Sequence, residues 1–450
     1  MVSSPRLCWS LLAVVLLASL EPPARLVAEA VKDREGAVRQ DQAKLENSGR
    51  WIYNDVEKGF AEAARTGKPL LVTLRCVPCV ACSGIDAQVL LEEATLKPLL
   101  DQFVCVRVIN ANTLDLSLFQ FDYDLSFSVL FFNADRTVYG RFGSWTHQKN
   151  AQEQSTASFR AALEGALAVH RDYPGNKADL AGKQGGPTPF KEPVAIPLLA
   201  EKYPRELDWK GQVVKSCVHC HMVGDAFRGY YRSERLPMPL EWLYPFPQPE
   251  TIGLSLAPEK AATVSAVEPA SAAALAGLQV GDGLLKLGGQ PLVSTADVSW
   301  ILHRAPDGGA TLPVELLRGG RTMTVPLVLS GGWRLRTDVT GRAAVWPMRG
   351  MALGGLVVEE LGPERRHQRG IDDGNLALFV KGVGKYGNHA AAGKAGFHKD
   401  DIVVEIDGLT TKLTESEILG HLLTKRLPGE KVKTVVLRGD KRVELMLPMQ

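Results

Sequence analysis

The chain has 450 residues and a formal net charge of +2 at pH 7, a length that corresponds to about three domains of ~150 residues. Hydrophobic residues make up 45% and charged residues 23% of the chain, which supports buried cores and excludes a wholly disordered protein. The 52 basic residues barely exceed the 50 acidic ones, and this balance argues against nucleic-acid binding. Seven cysteines are too few for a disulfide-dense scaffold.

The first 30 residues have the pattern of an export signal. Arg6 supplies a positive charge, Leu11–Ala18 is an apolar run, and small residues at Ala28 and Ala30 suit cleavage. An uncleaved anchor is the alternative. Nothing later approaches 18 uninterrupted apolar residues, so we expect no membrane span after cleavage and a periplasmic or secreted location.

A polar stretch at 31–50 predicts a flexible lead-in, and alternating helical and strand patterns over 51–173 predict an α/β unit. Its expected elements are a helix at Trp51–Thr66, a strand at Pro69–Leu74, a helix at Ser83–Gln102, a strand at Phe103–Val108, a hairpin of Val129–Asn133 with Val138–Phe142, and a closing helix at Ser155–Tyr173.

Three cysteines follow the first predicted strand of this unit. Cys76, Cys79 and Cys82 recur at every third residue where that strand gives way to a helix. A thiol at a helix N-terminus has a lowered pKa, and a second cysteine three residues later can close a disulfide with it. The spacing therefore favours thiol–disulfide exchange. A structural disulfide and a metal site of three thiolates are the alternatives.

The α/β unit resembles the thioredoxin-like fold. The resemblance implies that Cys79 is the nucleophile, Cys82 the resolving thiol and Cys76 an additional thiol, with a thiol or disulfide protein as partner. Bacterial proteins that join such a domain to PDZ domains, some with selenocysteine in the redox motif, are similar. The chain departs from thioredoxins because it has no proline between Pro98 and Pro174, so the cis-proline that faces the redox motif is missing.

Residues 174–250 are rich in proline and glycine and have the composition of a linker with one chemical motif. That motif is C-x-x-C-H, the attachment signature of haem c. It predicts thioether bonds from Cys217 and Cys220 and iron ligation by His221. Met238 is a candidate distal ligand. A zinc site and a disulfide are the alternatives.

An internal repeat occupies 251–330 and 351–450, joined by a linker at 331–350. Ala276–Asp282 in the first copy corresponds to Ala395–Asp401 in the second. Each segment is followed by an apolar run, a helical stretch and two strands that meet at an Arg-Gly pair.

Each copy resembles a PDZ domain of the bacterial periplasmic type. The resemblance implies binding of protein C-termini or exposed strands, with the ligand carboxylate on a glycine-containing loop and a helix as groove wall. The matching loops comprise Ile252, Gly253 and Leu254 in the first copy and Leu353, Gly354 and Gly355 in the second. The matching helices are Ser294–Arg304 and Thr414–Lys425. Loss of ligand binding in one or both copies, which would then act as spacers, is the alternative.

The sequence thus predicts a multidomain α/β plus β-rich protein with a thioredoxin-like fold, a proline-rich haem c segment and two PDZ-like domains. Its predicted function is that of an exported thiol–disulfide redox protein with tandem peptide-docking domains. The alternatives are a non-catalytic PDZ adaptor with structural cysteines and a haem electron carrier without thiol exchange.

Overall fold

The computed structural model describes residues 33–75, 77, 96–125, 127–143, 156–257, 260 and 262–450. A first group of elements builds the N-terminal unit: α1 (Arg34–Glu46), β1 (Trp51–Tyr53), α2 (Val56–Thr66), β2 (Leu70–Arg75), α3 (Lys97–Leu100), β3 (Val104–Val108), β4 (Phe127–Phe132), β5 (Val138–Phe142) and α4 (Thr156–Arg171).

The five strands of this unit form one mixed sheet in the order β1-β3-β2-β4-β5. β3 pairs in parallel with β1 and β2, whereas β4 pairs antiparallel with β2 and β5. The predicted strands, hairpin and closing helix are confirmed. The predicted helix at Trp51–Thr66 is wrong at its start, because Trp51–Tyr53 pairs with β3 and the Asp55 side chain caps a helix that begins at Val56.

The predicted flexible lead-in instead contains α1. Its N-cap is Asp33, whose carboxylate accepts a hydrogen bond from the N–H of Gly36 at 2.7 Å. Asp41 of α1 binds the guanidinium of Arg107 at 2.6 and 3.0 Å, and Arg107 is fully buried in β3. A buried charge needs a partner, so α1 is held to the sheet by an ion pair that local sequence patterns do not show.

The middle of the chain consists of short helices around one longer helix. The elements are α5 (Lys177–Leu180), a 3-10 turn at Ala181–Lys183, a 3-10 turn at Pro193–Ala195, α6 (Pro197–Ala200), α7 (Val213–Ser216), α8 (Cys220–Ser233), α9 (Leu240–Leu243) and a 3-10 turn at Pro249–Ile252.

This middle segment does not behave as the predicted linker. Val72 and Leu130 lie on one face of the first sheet, in the same apolar cluster as Ile196, Val223 and Phe227 of the middle segment. α4 covers the opposite face. The proline-rich composition misled the prediction because short helices that begin with proline can still bury apolar side chains.

The repeats contribute the remaining elements. The first contains β6 (Leu254–Ala257), β7 (Thr263–Val267), α10 (Ala272–Leu275), β8 (Gly283–Leu287), β9 (Gln290–Pro291), α11 (Thr295–Arg304), β10 (Ala310–Arg318) and β11 (Arg321–Leu329). After a 3-10 turn at Trp333–Arg336, the second follows with α12 (Val345–Leu353), β12 (Leu356–Glu360), α13 (Pro363–Gln368), β13 (Leu378–Val383), a 3-10 turn at Gly387–Ala390, α14 (Ala391–Lys394), β14 (Ile402–Ile406), α15 (Glu415–Lys425), β15 (Lys431–Arg438) and β16 (Lys441–Pro448).

Both repeats have the same topology. The sheet orders are β6-β7-β8-β10-β11 and β12-β13-β14-β15-β16, with neighbouring strands antiparallel. The same ion pair recurs in each. Asp282 binds Arg318 at 2.6 and 2.7 Å, and Asp401 binds Arg438 at 2.8 Å through both carboxylate oxygens. The internal repeat inferred from the sequence is therefore a structural repeat.

The first repeat docks on β5 through a buried carboxylate. Asp297, in the first turn of α11, accepts hydrogen bonds from the N–H groups of Val293 at 2.8 Å and Arg141 at 3.2 Å. It also forms an ion pair with Lys183 at 2.9 Å, and both side chains are fully buried. Gly140 allows the close approach, because a Cβ there would lie 2.6 Å from Val293.

The segment between the repeats docks on the N-terminal unit through Arg342. Its guanidinium contacts Asp122 at 2.5 Å and Asp124 at 2.9 Å, and all three residues are buried. Arg228 of α8 lies 3.8 Å from the other oxygen of Asp124. In the described part of the chain, no helix is both long and apolar enough to cross a membrane.

Candidate functional site

The sheet edge at the carboxyl ends of β2 and β3 is the expected position of the redox cysteines. Leu74 of β2 lies opposite Val108 of β3, so the two parallel strands end together, and β2 ends immediately before Cys76. Cys76, Cys79 and Cys82 themselves lie outside the described residues.

The C-x-x-C-H segment is bound to this same edge. The N–H of Ala111, just after β3, donates to the carbonyl of Val218 at 2.9 Å. Asn112 accepts from the N–H of Val218 at 2.8 Å and donates to the carbonyl of Ser216 at 2.8 Å. Val77, which follows Cys76 in the chain, is in one apolar cluster with Cys217. The fold thus places the second cysteine motif beside the strand ends that precede the first.

Burial dominates the chemistry of Cys217 and Cys220. The Cys217 thiol donates to the carbonyl of Ile109 at 3.4 Å, and 5% of the residue is exposed. Burial raises the pKa of both thiols to about 12. Neither forms a disulfide with a described cysteine. As arranged, both are protonated thiols and poor nucleophiles at neutral pH.

This arrangement does not fit a covalent haem. Cys217 packs in the cluster that contains Val77, whereas Cys220 packs against the cluster of the first sheet, and a porphyrin bonded to both would have to displace these side chains. His221 is exposed. Met238, the predicted distal ligand, is buried in the core of the second repeat, where its N–H donates to Leu423. The described residues contain no group of three or more metal-ligating side chains.

The first glycine-containing loop leads directly into β6. Gly253 has a φ of 74°, and its carbonyl accepts from the N–H of Glu268 at 2.9 Å. The N–H of Gly253 donates to the backbone carbonyl of Glu250 at 2.9 Å. Ile252 is buried, and Leu254 begins β6, the last strand in its sheet order. β6 therefore offers an outer edge to which an extended peptide could add.

The second loop occupies the equivalent place in its repeat. Leu353 ends α12, Gly354 caps that helix with a φ of 55°, and Gly355 leads into β12, the last strand of the other sheet. The described structure thus brings each loop to an outer strand of its sheet.

Comparison with known proteins supports one domain of each of two kinds. A family model described as thioredoxin-like matches residues 51–134, and a PDZ domain model matches residues 263–314. The chain contains a thioredoxin-like domain and a PDZ domain. A search of curated proteins found no significant match.

Solved structures with local similarity include a serine-to-alanine variant of the HtrA-type protease AlgW with a decapeptide, at 19% identity and a TM-score of 0.20. AlgW with a decapeptide and AlgW with a tripeptide each show 18% identity and a TM-score of 0.19. The similarity covers 30–31% of this chain and 40–48% of those chains, so the chain spans less than half the length of these proteins.

Sequence patterns missed the charged residues that hold these domains together. Asp297 and Arg342 each bind residues far away in the chain, so no local spacing marks them. Arg349 and Glu415, which form an ion pair at the second loop, were also missed. A signal existed for one of them, because Glu415 lies within a helix-capping pattern that begins at Thr414.

The raised thiol pKa values predict slow alkylation. A pKa of about 12 for Cys217 leaves roughly one thiolate in 10⁴ at pH 8, against about one in four for an ordinary cysteine. We expect iodoacetamide to modify Cys217 and Cys220 about 10³-fold more slowly in the native protein than in urea, with a rate that rises tenfold per pH unit up to pH 10. Peptide mass spectrometry measures both rates.

If iodoacetamide modified Cys217 and Cys220 at rates within tenfold of each other in the native protein and in urea, the result would contradict the burial of these thiols. The same experiment tests the haem prediction. Thioether bonds would leave neither thiol open to alkylation even in urea, and the protein would show a Soret band.

Proposed function

We propose that this protein is an exported thiol–disulfide oxidoreductase whose thioredoxin-like domain is directed to its substrates by peptide docking on the PDZ repeats. The observation that carries the proposal is the position of the cysteine motif. β2 ends at Arg75 inside the region that matches the thioredoxin-like model, so Cys79 and Cys82 follow the carboxyl end of a parallel strand. Ligands and catalytic groups commonly lie at such strand ends.

The proposed exchange has two steps. The Cys79 thiolate attacks one sulfur of a partner disulfide, forms a mixed disulfide and releases the other partner sulfur as a thiolate. The Cys82 thiolate then attacks Cys79, which releases the second partner thiol. Two electrons pass to the partner, and a Cys79–Cys82 disulfide remains. No step in this scheme uses haem.

Peptide docking rests on the PDZ domain and on the outer edge of β6, which pairs with no second strand among the described residues. The cysteine motif and β6 belong to parts of the chain that are joined by buried contacts, because Asp297 of the first repeat is bound by Lys183 and Arg141. A substrate strand on β6 would therefore be held at a fixed place relative to the first sheet, which raises its effective concentration there.

Substitution of the proposed nucleophile tests the function. In the full-length mature protein, we expect Cys79→Ser to slow the reduction of a protein disulfide such as that of insulin by at least 100-fold, because serine cannot form the mixed disulfide. Cys82→Ser should accumulate that mixed disulfide, visible by mass.

The matched control is Cys105→Ala. Cys105 is 1% exposed in β3, and burial raises its pKa to about 12, so its loss should leave the rate within twofold. Full activity in a Cys79/Cys82 double variant would refute thiol exchange and favour the non-catalytic adaptor.

A further inference from the structure

A cavity lies where the thioredoxin-like domain, the middle segment and the first repeat meet. Its wall comes from residues 120–124 before β4, from residues within 187–189 and 224–246 of the middle segment, and from residues 303–304 at the end of α11. It encloses about 730 Å³ including its open mouth. None of its residues belongs to β6, to the glycine loops or to a cysteine motif. Small-molecule sites commonly lie at such junctions between domains.

Aromatic side chains supply much of the cavity wall. Phe227 and Trp242 stack with their ring centroids 4.2 Å apart, and Phe246 stacks on His303 at the same distance. Phe227 belongs to the core of the first sheet, whereas Phe246 belongs to the core of the first repeat. The cavity therefore lies where two hydrophobic cores meet and leave space between them. The aromatic residues of the wall are Phe121, Tyr123, Phe227, Tyr231, Trp242 and Phe246.

Two buried carboxylates in the wall each have one oxygen without a hydrogen bond. The guanidinium of Arg342 donates to Oδ1 of Asp122 and to Oδ2 of Asp124. Oδ2 of Asp122 and Oδ1 of Asp124 have no hydrogen-bond partner among the described residues, although the two side chains are only 6% and 1% exposed. Buried polar atoms in folded proteins are almost always hydrogen-bonded. These two acceptors therefore point to a donor that the described residues do not supply.

The neighbouring arginines do not supply this donor. Arg228 lines the cavity, but its Nη2 lies 3.8 Å from Oδ1 of Asp124, which is too far for a hydrogen bond. Its Nε and Nη1 donate instead to the carbonyl of Trp242 at 2.9 Å and to Asp225 at 2.8 Å. Nη1 of Arg342 also lacks a partner among the described residues, but Arg342 is not part of the wall. The open acceptors thus favour a ligand that donates hydrogen bonds and disfavour an anion.

We propose that this cavity binds a small molecule with one aromatic ring and a head group that donates hydrogen bonds, a hydroxyl or an amine. The ring packs among the aromatic side chains of the wall, and the head group donates to Asp122 and Asp124. Glu241 and Arg304 also line the cavity, but both are exposed and their opposite charges cancel. Binding here depends on neither thiol exchange nor peptide docking, because the cavity shares no residue with the cysteine motifs, β6 or the glycine loops.

Three probes with the same ring test the head group on the full-length protein: 2-phenylethanol, 2-phenylethylamine and phenylacetate. By isothermal titration calorimetry, we expect the alcohol or the amine to bind with a Kd below about 1 mM, as suits a ligand of about nine non-hydrogen atoms. Its affinity should be at least tenfold higher than that of phenylacetate, whose carboxylate only accepts hydrogen bonds and is repelled by Asp122 and Asp124. The tighter-binding probe identifies the head group as neutral or cationic.

Substitution of one acceptor tests the position of the site. Asp122→Asn keeps the shape of the side chain and an oxygen for Arg342, but it replaces the open acceptor by an N–H donor. The variant should bind the alcohol or the amine at least tenfold more weakly, without a loss for phenylacetate. The matched control is Asp225→Asn, because Asp225 lies outside the wall and asparagine keeps an oxygen for Arg228. Its affinity should change no more than twofold.

Phenylacetate binding as tight as that of the other probes overturns the proposal. Undiminished binding to Asp122→Asn, with near-UV circular dichroism confirming the fold, overturns it as well. Failure of all three probes to bind at about 10 mM also overturns it and shows that the cavity holds water alone. If Asp122→Asn does not fold, the three affinities of the unmodified protein decide the question.

Discussion

Replacement of Arg342 by methionine is expected to lower the free energy of unfolding at pH 8 by about 3–5 kcal/mol, the cost of removing one partner from a buried ion pair. Arg342 lies between the carboxylates of Asp122 and Asp124, and the side chains of all three are at most 6% exposed. Methionine has a similar length but no charge, so both carboxylates would lose their main counter-ion in the interior. Urea denaturation followed by tryptophan fluorescence measures the loss.

The size of this loss depends on pH. Burial raises the pKa of Asp122 to about 6, although Arg342 lowers it. Because the folded value exceeds the unfolded value of about 4, the stability that Asp122 contributes is fully present below pH 4 and is lost as the pH rises through 6. In the Arg342→Met variant, which lacks the guanidinium, the pKa of Asp122 rises further. The deficit of the variant should therefore be smaller at pH 5 than at pH 8.

Arg369→Met is the matched control, because Arg369 and its partner Asp440 are exposed and exposed pairs contribute less than about 1 kcal/mol. An Arg342→Met variant that is as stable as the Arg369→Met variant would show that Asp122 and Asp124 do not require the guanidinium.

Asp297→Ala is expected to destabilise the protein by a similar amount, about 3–5 kcal/mol. The substitution leaves the fully buried ammonium of Lys183 without its ion pair and leaves the N–H of Val293 without its acceptor. Burial already lowers the pKa of Lys183, so the variant should bury it as the neutral amine. The unfolded state then holds more protons, and the stability of the variant should rise between pH 7 and pH 9.5.

The same interface provides a control in the half-buried pair of Asp179 and Lys286, whose side chains are 43% and 34% exposed. Asp179→Ala removes a carboxylate that also joins the middle segment to the first repeat, yet it should cost less than about 1 kcal/mol because water screens the pair. Equal losses of unfolding free energy in Asp297→Ala and Asp179→Ala would contradict the role assigned to the burial of Asp297. A loss confined to Asp297→Ala would show that this contact holds the PDZ domain on β5.

The buried contacts of Arg342 with Asp124 and of Asp297 with Arg141 join distant parts of the chain. Neither contact was predictable from the sequence. Arg342 and Asp124 are 218 residues apart, and Asp297 and Arg141 are 156 residues apart. A charged residue in a local pattern is ordinarily read as exposed. Only the folded chain shows that these side chains are buried and paired. The same reason explains why α1 was missed, since Asp41 meets Arg107 across 66 residues.

The candidate sites were predictable to different degrees. Strand β2, which ends just before Cys76, follows from an apolar run and is confirmed. The positions of the loops at Gly253 and Gly354 also follow from the repeat. By contrast, the C-x-x-C-H spacing specifies which residues could hold a haem but not the packing around them. The structure places Cys217 in an apolar cluster and Met238 in a different core.

The sequence by itself determined the elements of local origin: strands from apolar runs, helices from their periodicity, and a repeat from two segments that recur with the same order of motifs. These depend on residues close in the chain or on duplication of a whole segment. The tertiary structure decided which charges are buried and with which distant residues they pair. Those properties depend on contacts between distant segments, and a linear pattern contains no information about which segments meet.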